Sequence, residues 1–470
     1  MSQASESRLT PTHAAPGGEC PYEKLLQHAA AISQDYLKAI PERHAGVGPE
    51  ALRGLSKLAG PLPAAGEDPK AVLDLLDACG SPATIGSMGR RFFGGVIGGT
   101  FPVALAAHWI ADSWDQNACL YDISPVSAHL EDVVLGWLIE LFGLPKGSGG
   151  AFVTGTQMAD VTALAAARNA VLKKAGWDFD GDGFAGAPPI KVIVGEEVHA
   201  TMLKALRILG IGMNHVVFVP ADSQGRMKAS LIPRLQGPVI VCAQAGNVNT
   251  GSFDPFTSIC EVAREMDAWV HVDGAFGLWA ATSPTKRWLV EGMNMADSWA
   301  TDAHKWLNVP HDSGIAVVRN PHDLLSAMTI SAAYYPDPAG KREPMQWGPE
   351  SSRRARAIEI WATLRWLGAR GVSELIDRTC NLALQFAAGF RAAGFEVLHD
   401  VVLNQVMVSF GSDQRTSEVV AAIQAEGTCW CGATVWKGRK AMRVSVSSWA
   451  TTEEDVDLAL KAILAIAGAK

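Results

Sequence analysis

A chain of 470 residues with 48% hydrophobic and 19% charged positions exceeds what one hydrophobic core organises, which predicts two or three domains and excludes global disorder. A formal net charge of −8 gives no electrostatic footing for nucleic acid or an anionic membrane, so a small molecule is the expected partner. The eight cysteines are scattered, with Cys429 and Cys431 the one close pair, and read as reduced thiols of a cytoplasmic chain rather than as a disulfide framework or a zinc site.

In chain order, the opening MSQASESRLTPTHAAPGGECPYEK lacks the basic start and apolar core of a signal peptide and predicts a tail, followed by a helical arm to about residue 85. FFGGVIGGTFPVALAAHWIA, residues 92–111, is about long enough to span a bilayer. Glycines 94, 95, 98 and 99 and Pro102 crowd its first half, so a glycine-rich loop feeding a buried helix is expected instead. From about residue 130, HLEDVVLGWLIELFG and MADVTALAAARNAVLKKAG carry helical periodicity, whereas KVIVG, HVVFV, PVIVCAQ, WVHVDGA and GIAVVRN read as buried strands. This alternation predicts a large α/β domain over 86–350, with a mostly parallel central sheet and helices on both faces. Past residue 350, SSRRARAIEIWATLRWLGARG and VSELIDRTCNLALQFAAGFRAAG read as helices, FEVLHD, QVMVSF and AMRVSVS as strands of a smaller sheet, and TEEDVDLALKAILAIAGA as a closing helix. A small α+β domain over 351–470 follows.

Two motifs lead nowhere. DFDGDGF opens like a calcium loop, but its twelfth position is Pro189 where a bidentate glutamate is needed. KGSGGAF lacks the Lys-Ser/Thr of a phosphate-binding P-loop. No metal site is expected.

Asp273 and Lys305 combine into more than either alone. WVHVDGAFG places Asp273 at the carboxyl end of a strand, where ligands collect in α/β sheets, although a turn aspartate would look the same. Lys305, in SWATDAHKWLNVPHDSG, lies between a polar turn and a hydrophobic segment and reads equally well as a surface lysine. Together they suit a pyridoxal phosphate enzyme: the lysine amine forms an imine with the cofactor aldehyde, and the carboxylate keeps the ring nitrogen protonated.

HVDGAFG, DSWATDAHKWLNVPHDSG with its His304–Lys305 pair, and SSRRARAIEIWATLRWLG resemble the group II pyridoxal-phosphate-dependent amino acid decarboxylases, which are similar to aromatic-L-amino-acid decarboxylase and have the aspartate-aminotransferase fold (fold type I). The resemblance runs from about residue 75 into the C-terminal region. It implies that VTGTQMADVTALAAAR carries the phosphate turn, Gly155, Thr156 and Gln157, at a helix N-terminus suited to an anion. It also implies that His199 stacks on the pyridoxal ring, that Asn247 and Asn249 lie on the cofactor-side loop, and that Ala275 leaves room for the ring. Asp302 falls near the phosphate, which a carboxylate repels unless water or a cation intervenes, and His304 contacts cofactor or the substrate carboxylate.

The implied reaction is decarboxylation of an L-amino acid, an aromatic one among the possibilities, to the amine and carbon dioxide, through the Lys305 Schiff base and a quinonoid intermediate. Tyr334, in SAAYYPDPAG, stands at the family's spacing for the loop tyrosine that returns a proton. Two departures bear on the substrate: the loop after Tyr334 is short and proline-rich, and Gly94, Gly95 and Ile97 stand where relatives carry aromatic pocket residues and a carboxylate-binding threonine, which predicts an enlarged or reshaped pocket. The alternatives are a decarboxylation-dependent aldehyde synthase, a carbon–carbon lyase or aldolase, and a cofactor-free scaffold. The resemblance further implies a homodimer with active sites at the subunit interface.

Overall fold

The computed structural model describes residue 20 and residues 22–330 and 340–468. Two compact units divide the chain, Met1–Gly89 and Arg90–Lys470. The first is helical, with helices Glu23–Ala39, Pro49–Gly54 and Pro69–Gly80. Asp68 caps the third by accepting the Ala71 N–H at 3.0 Å, ahead of a proline that has no N–H to satisfy. Glu23–Ala39 buries none of its residues, and Leu26, Leu52, Leu75 and Leu76 are exposed.

The second unit holds two sheets. Strands β1 (Phe92–Phe93), β2 (Gly149–Val153), β3 (Lys191–Gly195), β4 (Val216–Val219), β5 (Val239–Gln244) and β6 (Trp269–Asp273) are followed by β7 (Ser298–Asp302), β8 (Gly314–Val318), β9 (Glu396–Val397), β10 (Gln405–Ser409), β11 (Trp430–Trp436) and β12 (Arg439–Ser445). The larger sheet has the order β2-β8-β7-β6-β5-β3-β4, the smaller β1-β11-β12-β10-β9. In the larger sheet β4, β3, β5, β6 and β7 run parallel, and only β8 is reversed, pairing antiparallel with β7 and β2. The mostly parallel α/β fold predicted from the alternation is therefore present. One reversed strand leaves the carboxyl ends of β2, β3, β5, β6 and β7 on a single edge, where α/β sheets gather ligands.

Two strands of this sheet do not read as strands in the sequence. GGAFV carries a glycine pair, the usual mark of a loop. Here a Cβ at Gly150 would sit 2.6 Å from the Ala316 carbonyl oxygen, so glycine allows β2 to lie against β8 and the helix Pro125–Phe142. SWATD is buried at every position yet half polar, because its hydroxyls and carboxylate serve internal partners: Ser298 Oγ accepts the Trp269 indole N–H at 2.8 Å and meets His271 Nδ1 at 2.9 Å. The predicted polar turn before Ala303 is thus the interior strand β7.

The helix Thr156–Lys174 is buried at 13 of its 19 positions, so it has no polar face. Its run of alanines packs it closely on β6, β7 and β8. The long helix Ala357–Ala392 breaks at Gly368 (φ 61°), which separates the two helices predicted there. FFGGVIGGTFPVALAAHWIA divides into β1, a glycine loop and the helix Pro102–Trp114. Among the described residues no helix is long and apolar enough to cross a membrane.

Candidate active site

One cavity of about 510 Å³ opens at the carboxyl edge of the large sheet and is closed on the far side by β11 and β12. Gly155, Thr156, Gln157, His199, Asn249, Asp273, Ala275, Asp302, His304 and Lys305 all line it. The described residues singled out from the sequence for catalysis or cofactor contact therefore converge on one place, except Asn247, which does not line the cavity. Tyr334 and Tyr335 lie outside the described residues.

The floor begins where β2 turns into the helix Thr156–Lys174. Gly155 is fully extended, and a Cβ there would lie 3.3 Å from His304 Cε1. A Cβ at Gly314 would come within 2.4 Å of Gly155 itself, so this pair of glycines lets the turn rest on β8. The Thr156 N–H donates to Asp302 Oδ1 at 2.6 Å, while Thr156 Oγ1 is buried with no hydrogen-bond partner among the described residues. An orphaned hydroxyl at a helix N-terminus, beside a turn with no side chain in the way, fits a phosphate ester.

Asp273 ends β6, 5% exposed, and Oδ1 accepts the Ala275 N–H at 3.1 Å. Burial pushes its pKa up, against the pull of His199 and Lys305. His199 caps the helix Ala200–Ile208: Nδ1 accepts the Thr201 N–H at 3.3 Å and meets Thr201 Oγ1 at 2.7 Å. Burial pushes His199 down, so its ring is neutral and fixed in orientation by its own helix. Helix capping and ring stacking are thus compatible uses of one side chain.

Lys305 follows β7 by three residues, and its Nζ lies 2.9 Å from Asp302 Oδ2, which explains how a cation is tolerated there. His304 Nδ1 accepts the Ser313 N–H at 3.0 Å, leaving hydrogen on Nε2, 3.5 Å from Asp302 Oδ1. Burial brings His304 to about 4, and its ring stacks on His311 with centroids 4.2 Å apart. Asn247 plays a different part from Asn249: its Oδ1 accepts the Asn249 N–H at 2.9 Å and the Thr250 N–H at 3.2 Å, which shapes the loop, while Asn249 faces the cavity and takes the Thr434 hydroxyl at 2.7 Å.

Arg443 and Thr434, which sequence reasoning missed, come from the small sheet and line the cavity. Arg443 donates to the Val248 carbonyl at 3.2 Å and has no carboxylate partner among the described residues; burial pushes its pKa down. Nothing near MRVSVS marks it, because it meets the cofactor-side loop only through a contact between residues far apart in the chain, Arg443 and Val248. Also missed is Asp160, fully buried one layer below, whose Oδ1 lies 3.1 Å from His271 Nε2. Burial, reinforced by Asp273 and Asp302, pushes Asp160 well up. The space expected at Gly94 is filled: a Cβ there would lie 2.1 Å from the Trp430 ring, which stacks on Phe92 with centroids 5.0 Å apart. The wall is reshaped at Gly94 rather than opened, while Gly95 and Val96 reach the cavity.

Residues 88–411 match the pyridoxal-dependent decarboxylase conserved domain. The chain belongs to this family. It is an enzyme of the pyridoxal-phosphate-dependent amino acid decarboxylases, and the fit of Thr156 and Gly155 to a phosphate accords with that cofactor. Aromatic-L-amino-acid decarboxylase of Bacillus atrophaeus is 26% identical over 86% of this chain and 87% of its own length. Acidic amino acid decarboxylase GADL1 of Mus musculus is 32% identical over 62% of this chain and 55% of its own length. In three dimensions, Oryza sativa TDC with PLP and tryptamine superposes with a TM-score of 0.89 at 22% identity, covering 97% of this chain and 99% of that one.

Proposed function

We propose that this member of the decarboxylase family removes the α-carboxylate of an L-amino acid with an acidic side chain, releasing carbon dioxide and the amine, with pyridoxal phosphate attached to Lys305. The observation that carries this reading is the convergence of Lys305, Asp273, His199 and the turn Gly155–Gln157, from four separate strand ends, on one cavity. When bound, pyridoxal phosphate supplies an aldehyde that condenses with amines and a protonated ring that accepts the electron pair left by departing carbon dioxide. Gly155, Thr156 and Gln157 hold the phosphate, and Ala275 gives the ring room. Asp273 keeps the proton on the ring nitrogen, and the cation there offsets the carboxylate's burial cost. His199, neutral and fixed, faces the ring. His304, neutral with hydrogen on Nε2, donates without adding charge. Tyr334 is assigned the return of a proton to the substrate carbon.

Arg443 supports the proposed substrate class. A half-buried guanidinium with unclaimed donors, beside Asn249 and Thr434, suits a carboxylate on the substrate side chain. This favours the chemistry named in the GADL1 relatives over that of the aromatic decarboxylases. Incubation with a panel of acidic and aromatic L-amino acids should yield carbon dioxide and amine chiefly from the acidic ones. Preference for aromatic substrates would overturn the role of Arg443. Ammonia and peroxide would assign the aldehyde synthase reaction, for which a relative, 4-hydroxyphenylacetaldehyde synthase of Rhodiola rosea, is named. The retained Tyr334 favours the amine.

The enzyme is further proposed to be a cytoplasmic homodimer with active sites at the subunit interface. Trp109, Ile110 and Trp114 are exposed on the helix Pro102–Trp114, an apolar face that a second copy would cover, and light scattering at assay concentration should report twice the chain mass. The buried free thiols of Cys242, Cys429 and Cys431 suit a reducing compartment.

A further inference from the structure

An anion already sits on the phosphate turn. Asp302, 2% exposed at the end of β7, receives the Thr156 N–H on Oδ1 at 2.6 Å and holds Lys305 Nζ on Oδ2 at 2.9 Å. Its backbone is equally fixed: the N–H donates to the Ala275 carbonyl and the carbonyl accepts the Trp279 indole N–H, both at 2.9 Å. Oδ1 leans over the turn, 3.4 Å from where a Cβ would lie on Gly155. One carboxylate therefore occupies both a helix N–H that a phosphate ester would use and the amine that the aldehyde requires. The Thr156 hydroxyl beside it is buried and unpartnered, which marks the same spot as a seat for a further oxygen anion.

We propose that Asp302 is a stand-in anion, capping the helix and parking Lys305 when the cofactor is absent and competing with the cofactor phosphate for the turn when it arrives. This rests on reading Lys305 and Gly155–Gln157 as the cofactor seat. A phosphate placed against Thr156 comes close to a buried carboxylate, and like charges in a water-poor site disfavour one another. His304 Nε2 at 3.5 Å offers an N–H but no charge, since burial keeps that ring neutral. Lys305 is the one cation that touches Asp302 among the described residues, and it must leave to reach the aldehyde. The carboxylate thus sets how tightly pyridoxal phosphate is held.

Asparagine at this position keeps Oδ1 as acceptor for Thr156 and turns Oδ2 into a donor. In the full-length protein, titrated by absorbance, Asp302→Asn should bind pyridoxal 5′-phosphate at least about tenfold more tightly than wild type. Pyridoxal, which lacks the phosphate but still has to draw Lys305 away from Asp302, should gain at least about threefold less than pyridoxal phosphate does, because only the phosphate meets the carboxylate at the turn. Without ligand the variant should melt lower than wild type, since Lys305 has lost its partner. Unchanged or weaker pyridoxal phosphate binding would overturn the proposal, as would equal tightening for pyridoxal. Failure of wild type to take up the cofactor at all would overturn the seat and this role together, a result distinguishable from the first. Asp302→Ser, which removes the charge and keeps an acceptor, should move affinity in the same direction if Asp302→Asn fails to fold.

Discussion

Two groups of charged residues in the interior of the second unit, one fully buried and one that includes the half-buried Arg443, are built on opposite rules. In one, Glu131 accepts Arg342 Nε at 3.1 Å and is also held by Arg353, while Arg342 reaches the Gly150 carbonyl at 2.7 Å and lies over the Trp347 ring. Both carboxylate oxygens are claimed, and the group ties the helix Pro125–Phe142 to β2 and to the chain following residue 340. In the other, Asp273 and Arg443 stand apart with no ion-pair partner among the described residues, and the space beside them is the cavity. Buried charge without a local partner is costly, and a protein keeps it where a ligand completes it. The Glu131 group holds the fold together; the Asp273 group is the one that, on the proposed function, cofactor and substrate complete.

Substitutions that remove a single charge should separate the two. Asp273→Ala should lower kcat/KM by about 10³-fold with the melting temperature nearly intact, because the ring nitrogen loses the group that keeps its proton. A large drop in stability with little loss of rate would erase the distinction. Glu131→Ala should do the reverse: about 3 kcal/mol of stability is lost because two buried arginines lose the carboxylate they share, Arg353 most of all since Arg342 keeps Asp132 and the Gly150 carbonyl, while the absorbance of bound cofactor is unchanged.

The smallest effect concerns pH. Burial depresses His271 to about 3 and His304 and His399 to about 4, all below the unfolded value near 6.5. The unfolded chain then binds more protons, so the stabilisation is complete above pH 6.5 and is lost as pH falls towards the folded values. Between pH 7.5 and 5.5 each of these histidines should cost about 1 kcal/mol, read from urea unfolding. His399→Gln, remote from the cofactor seat, should shrink that loss by one histidine's share; an unchanged loss would show that His399 is not held neutral by the fold.

The residues legible in the sequence were those whose chemistry is written in short linear motifs. HVD and HK keep Asp273, His304 and Lys305 next to their own strands, and the turn before Thr156 lies directly at the end of β2. What stayed hidden came from distance or from polar burial. Arg443 and Thr434 reach the cavity from β12 and β11, and WCGATVW reads as neither an alternating strand nor a helix. β7 is a buried strand whose polar residues look like a turn until their partners, Trp269 and His271, are seen. Trp430 fills the space at Gly94 from the neighbouring strand β11, a contact that removing side chains on paper cannot anticipate.

The central claim is that Lys305 is the residue that carries pyridoxal phosphate. Borohydride reduction of the cofactor-loaded enzyme, followed by peptide mass spectrometry, tests it most directly. A single phosphopyridoxyl group on Lys305, absent from Lys305→Ala, is the predicted result. Modification of a different lysine, or none after loading with cofactor, would contradict it.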